Sequence, residues 1–247
     1  MSKLVSLQKR VALKTQFVTA LSVVSFLTSC GKNPFASSEK KEPAEDATIQ
    51  LEKKNPQKAI DILEAALTDD PGNFTYVSVL SMAYAQRAGV DPITLAQKAA
   101  TQNSTDSNNP ASMVGFFPVL PAATAKNIAD VDYAISLIQQ IPQPSRIAAD
   151  TFKIGIFLTA SMALKAKQLD TNGDGVLSQS ELLAMTPAAA IAILSNLSTA
   201  VAAFANANGY DTTSVQATQQ IQKLQDVINS TPGATPQEKL QNYLATH

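Results

Sequence analysis

From position 49 onward, the apolar residues of this 247-residue chain recur at helical spacing. In 55–73, NPQKAIDILEAALTDDPGN, the residues Ala59, Ile60, Leu63, Ala66 and Leu67 fall on one face of a helix. Asp70-Pro71-Gly72-Asn73 ends it. Further helices are predicted over 74–89 and 93–100. Ala134, Ile135, Ile138 and Ile141 mark another, closed by Pro142, and 147–169 reads as a long helix containing IGIF. Thr186 as N-cap and Pro187 in the first turn open a very apolar helix to about 207, which looks buried on most sides. Asn208-Gly209 stops it. An amphipathic helix over 213–229 turns Val215, Ile221, Leu224, Val227 and Ile228 inward, and a last one over 235–245 carries Leu240, Tyr243 and Leu244. No run alternates apolar with polar residues and is rich in β-branched types, so no sheet is expected. The expected fold class is all-α.

Asn108-Asn109-Pro110, Pro118 and Pro121 interrupt any long helix between 103 and 123. Within that break, 113–120 (MVGFFPVL) is apolar without a period. It has two readings: a binding loop anchored by Phe116 and Phe117, or a buried plug at the end of a helical array. Apolar residues are more often core than site, which favours the plug.

The pattern at the start of the chain is different. Lys3, Lys9, Arg10 and Lys14 precede an apolar stretch over 17–27, with no acid among the first 29 residues. That reads as a secretory signal peptide over 1–29, too short in its apolar part to span a membrane. The segment closes on Leu27-Thr28-Ser29-Cys30, which resembles the lipobox of bacterial lipoproteins. The resemblance implies cleavage before Cys30 and a lipid anchor on its thiol, hence attachment to a membrane in the cell envelope. Gly31, at the position where the family's inner-membrane retention signal has Asp, implies the outer membrane, facing periplasm or exterior. Cys30 is the only cysteine, so no internal disulfide forms. Residues 30–48 are polar and charged and read as anchor and flexible tether.

The most specific chemistry lies at 170–181, DTNGDGVLSQSE. Asp170, Asn172 and Asp174 place oxygens at every second residue, Gly175 permits a sharp turn, and Val176 offers its carbonyl. Ser178 can hold a bridging water, and Glu181 can bind with both oxygens. This matches the EF-hand loop pattern, whose hard oxygen ligands suit Ca²⁺. A chance match of six fixed positions is expected on the order of 10⁻⁴ times in such a chain, so calcium is preferred to a bare polar turn. Leu177 is the apolar residue that points away from the ion. No second such loop is found, so the site reads as a lone structural staple between the helix before it and the short helix after it. A calcium sensor is the alternative. Outside the cytoplasm a Kd of roughly 10⁻⁴ to 10⁻³ M suffices.

The helices over 55–100 resemble tetratricopeptide repeats. Ala59, Ile60 and Ala66 with Pro71 stand as in the second helix of that repeat, and Leu80, Ser81 and Tyr84 as in the first helix of the next. The resemblance implies an irregular array of helical hairpins over 49–145, followed by a helical part over 146–247 that holds an EF-hand-type helix-loop-helix.

Charge and composition narrow the function. The signal removes 4 of 19 Lys+Arg and none of 20 Asp+Glu, leaving a formal net of −5. With no basic patch and no Trp, nucleic-acid binding is not supported. The single His, His247, is terminal and a poor base or ligand. The pairs Asp69/Asp70 and Asp130/Asp132 read as helix ends and a solvated helix face, not as catalytic carboxylates. The expectation is therefore a non-enzymatic, lipid-anchored scaffold or accessory factor with a protein partner and bound Ca²⁺. The alternative is an accessory component of solute transport, holding a small apolar ligand in a cavity lined by Phe116, Phe117 and residues 191–204.

Overall fold

Proline and short polar side chains set where most helices start. In the computed structural model, residues 41–101, 112–207, 210 and 212–246 are described, and no strand occurs among them. The elements are α1 (Pro43–Glu52), α2 (Pro56–Asp69), α3 (Phe74–Arg87), α4 (Pro92–Thr101), α5 (Ala125–Gln140), α6 (Ala148–Lys167), α7 (Gln179–Leu183), α8 (Pro187–Asn206), α9 (Thr212–Ser230) and α10 (Pro236–Leu244). Short 3₁₀ turns cover Val114–Val119 and Gln143–Ser145. The protein is all-α. Five helices open on proline, whose missing N–H costs nothing in a first turn. Asn73, Thr124, Thr186 and Thr235 cap α3, α5, α8 and α10 by accepting amide N–H bonds from the first turn.

The unit Glu42–His247 is built by successive helix packing. α1 lies on α2, α2 on α3, and α3 on α5. α1 begins inside the stretch expected to be tether: the Glu42 carboxylate caps it, and Ala44, Ala47 and Gln50 are buried. α4 does not fold back on α3 to complete a second tetratricopeptide-like hairpin. It packs chiefly on α9 instead. Its buried face, Leu95, Ala96, Ala99 and Ala100, is small enough for α9 to approach closely. Gly89, at φ +84°, turns the chain away after α3, with the Pro121 ring 3.0 Å from where a Cβ would sit.

α6 is the central helix, packed against α5, α8, α4 and the first 3₁₀ turn. Every residue from 154 to 164 is buried, so this stretch has no solvent face. Its closest neighbour is α8, and Gly155 explains why: a Cβ there would lie 2.8 Å from the Phe204 ring. The mid-helix glycine thus permits a close crossing and offsets its low helix propensity. α8 itself corrects the expectation of burial on most sides. Only a third of its apolar window is buried, and Ile191 is 58% exposed. Several of its outward positions are alanines, such as Ala188, Ala202 and Ala205, which face solvent at little cost. Val215 is another correction, since it is exposed; the inward face of α9 begins at Ala217.

The apolar segment before α5 is a plug. Met113, Phe116 and Phe117 are buried, the Met113 amide donates to the Tyr243 hydroxyl at 3.0 Å, and the Lys167 ammonium donates to the Phe117 and Leu120 carbonyls at 2.8 and 3.1 Å.

Asp130 is not on a solvated face either. It is 7% exposed and accepts two bonds from Arg87, at 3.0 and 2.7 Å, and one from Lys126 at 2.8 Å. Burial alone would raise its pKa, but the Arg87 and Lys126 bonds outweigh it and hold the carboxyl below its usual range. Arg87 also stacks 4.4 Å over the Tyr84 ring. Burial, aided by a bond to Glu64, pushes the Tyr84 hydroxyl up to about 12.

Candidate metal centre

α6 ends at Lys167, and residues 168–169 lead into the loop. Two glycines in the left-handed region make the winding: Gly173 at φ +75° and Gly175 at φ +81°, both with open space where a Cβ would be. The Asp170 carboxylate draws the loop around itself, accepting the Gly173 amide on Oδ1 at 2.8 Å and the Gly175 amide on Oδ2 at 2.9 Å. Two short turns follow. Asn172 Oδ1 accepts from the Asp174 amide at 2.9 Å, and Asp174 Oδ1 from the Val176 amide at 2.8 Å. Asn172 Nδ2 donates to Asp174 Oδ2 at 3.0 Å. The Val176 side chain is exposed, while Leu177 is buried in the core.

Glu181 closes the loop. Its Oε2 accepts from the Ser178 amide at 2.9 Å and the Ser178 hydroxyl at 2.7 Å. Its Oε1 accepts from the Thr171 amide at 2.7 Å, the Thr171 hydroxyl at 2.9 Å and the Asn172 amide at 3.3 Å. One carboxylate therefore joins the first residues of the loop to the start of α7. The Ser178 hydroxyl and amide, then Thr171, hold its pKa down at about 2. Ser178 and Glu181 form a reciprocal capping box at the start of α7. The sequence reading gave both residues to the ion and passed over the S-x-x-E signature that they also spell. Thr171 was missed altogether, since position 2 of such a loop carries no ligand in the pattern.

The donor set fits an oxygen-seeking cation in type: Asp170, Asn172, Asp174, Ser178, Glu181 and the Val176 carbonyl are all oxygen donors. The glycine turns fit as well. The side chains do not yet converge. Among the described residues, no three His, Cys, Asp or Glu groups are gathered closely enough to hold a metal. Both oxygens of Glu181 are turned onto the loop's N–H and O–H groups, as both oxygens of Asp170 are onto amides. An ion bound by both oxygens would have to take Glu181 from Thr171, Asn172 and Ser178.

The corner is anchored beyond the loop. The Gln241 and Gln237 amides of α10 donate to the Leu182 and Met185 carbonyls, each at 2.7 Å. On the other side the loop forms one wall of a groove of about 780 Å³, facing Val114, Phe117 and Pro118. Phe116 does not line it. Part of α8 lines a separate, polar groove with Gln139, Gln143 and Arg146. Cys30 and its surroundings, the breaks at 103–110 and His247 lie outside the described residues. Compared with known proteins, the chain matches no family model, no curated protein and no solved structure.

Proposed function

We propose that the protein is a non-enzymatic, lipid-anchored accessory or scaffold protein of the cell envelope, in which loop 170–181 is a structural Ca²⁺ site. The observation that carries the calcium reading is the loop's turn geometry. Asp170 already gathers the amides of Gly173 and Gly175, with alternate oxygens in place around them. When bound, Ca²⁺ would supply positive charge to Asp170, Asp174 and Glu181, three carboxylates that the loop otherwise balances only with N–H and O–H dipoles. The residues that would feel it first are Thr171 and Asn172, whose bonds to Glu181 are exchanged. Because Leu177, Leu182 and Met185 are buried and α10 grips the carbonyls of α7 and the residue after Ala184, the ion acts on the α6–α7 corner as a staple. The signal peptide and the Cys30 lipobox support envelope attachment.

A second reading, binding of a small apolar ligand, draws on the groove between the loop and Phe117. Crosslinking and pull-down from membranes, with calcium and with chelator, separates the two. The scaffold reading expects a discrete protein partner on Cys30-anchored protein. Recovery of no partner, together with a small molecule retained by the purified chain, favours the second reading.

A further inference from the structure

We propose that Thr171 sets the affinity of loop 170–181 for Ca²⁺ by competing for the Glu181 carboxylate, a role that rests on the calcium reading of the loop. Thr171 stands at the second loop position, outside the set of residues that supply ligands.

The three carboxylates of the loop are not equally ready for a cation. Each oxygen of Asp170 accepts one amide, from Gly173 and from Gly175. Each oxygen of Asp174 accepts one N–H, from the Val176 amide and from the Asn172 side chain. A carboxylate offers about four lone-pair sites, so about half remain on each of these two residues. Glu181 is different. Its Oε1 accepts the Thr171 amide at 2.7 Å, the Thr171 hydroxyl at 2.9 Å and the Asn172 amide at 3.3 Å. Its Oε2 accepts the Ser178 amide at 2.9 Å and the Ser178 hydroxyl at 2.7 Å. Those donors fill the lone-pair sites of the carboxylate. Glu181 is also only 7% exposed, so its bonds are sheltered from water and stronger for it.

Glu181 can therefore bind with both oxygens only after donors leave it. The amides belong to the backbone and are present whatever the side chain. The Ser178 hydroxyl also accepts the Glu181 amide in capping α7, and it is itself placed as an ion ligand. The Thr171 hydroxyl has neither tie: its one bond among the described residues is to Glu181, and Thr171 is exposed. It can turn to water, at the loss of one charge-assisted bond. The ion-free loop keeps that bond and the loaded loop gives it up, so the difference weakens the measured affinity. Val has the branched shape of Thr without the hydroxyl, which isolates this bond.

The test is calorimetric titration of Ca²⁺ into the full chain in phosphatidylcholine nanodiscs, with empty nanodiscs subtracted. Thr171→Val should bind about fivefold tighter than the wild type, the worth of one hydrogen bond. Thr171→Ser, which keeps the hydroxyl, should bind as the wild type does. The gain must come from the ion-free state, so with chelator Thr171→Val should melt below the wild type and Thr171→Ser beside it. The proposal is overturned if Thr171→Val binds no tighter than the wild type, if Thr171→Ser follows it, or if the ion-free Tm of Thr171→Val is unchanged. A wild type that takes up no Ca²⁺ overturns the calcium reading and this role with it.

Discussion

The α6–α8 seam and the loop 170–181 are near neighbours in sequence, yet they fix their backbones by opposite means. Each contains a glycine that shows how. Gly155 sits at ordinary helical angles, and a Cβ there would meet the Phe204 ring at 2.8 Å. Gly175 has open space around it, but its φ is +81°. The first is required by a neighbour, the second by its own backbone. At Gly155 and Phe204 the seam takes its shape from excluded volume. The loop takes its shape from carboxylates accepting N–H and O–H bonds, so it tolerates size and responds to charge.

The largest effects fall in the seam. Phe204→Ala should cost about 3–5 kcal/mol in urea unfolding, since that ring is fully buried against α6. Gly155→Ala should cost about 1–3 kcal/mol by overpacking. Combining it with Phe204→Leu should cost less than the two single changes added together, because the smaller side chain makes room for the methyl. Additive costs would break the claim that these two positions share one contact.

Gly175→Ala should follow the other rule. It should cost about 1–2 kcal/mol through the left-handed backbone alone. No substitution at a neighbouring side chain should rescue it, whereas Gly175→Asn should retain most of the stability, as Asn tolerates that region. Equal costs for Ala and Asn would contradict the backbone argument.

A smaller effect comes from pH. The Glu181 carboxyl is held at about 2, against an ordinary value of 4.5. Its folded pKa lies below its unfolded one, so the bonds to Ser178 and Thr171 contribute stability that is fully present above about 4.5 and lost as pH falls towards 2. In urea midpoints measured from pH 6 to pH 2, the wild type should lose more than Glu181→Gln across that window. Parallel curves would remove Glu181 from its assigned place.

Much of the fold was legible in the sequence because its punctuation is local. Proline at first turns and Asn or Thr at caps mark α2, α3, α5, α8 and α10 without knowledge of what they pack on. The loop's winding was legible for the same reason, since Asp170 bonds to amides only three and five residues away. What was hidden depends on distant partners. The burial of Asp130 needs Arg87, 43 residues earlier. The alanine-rich face of α4 suits several neighbours, and nothing in its spacing selects α9 over α3. α1 was hidden by composition: PAEDAT holds no large apolar side chain, and its burial rests on Ala44 and Ala47. The hold of Glu181 on Thr171 and Ser178 was hidden because the capping signature overlaps the loop pattern.

The central claim is that the loop is a calcium staple for the α6–α7 corner, and the most direct measurement is thermal melting of the wild type and Glu181→Gln, each with millimolar Ca²⁺ and with chelator. The account predicts a higher Tm with calcium for the wild type, by mass action on the folded state, and a much smaller rise for Glu181→Gln. A wild-type Tm that is the same with calcium and with chelator would contradict it.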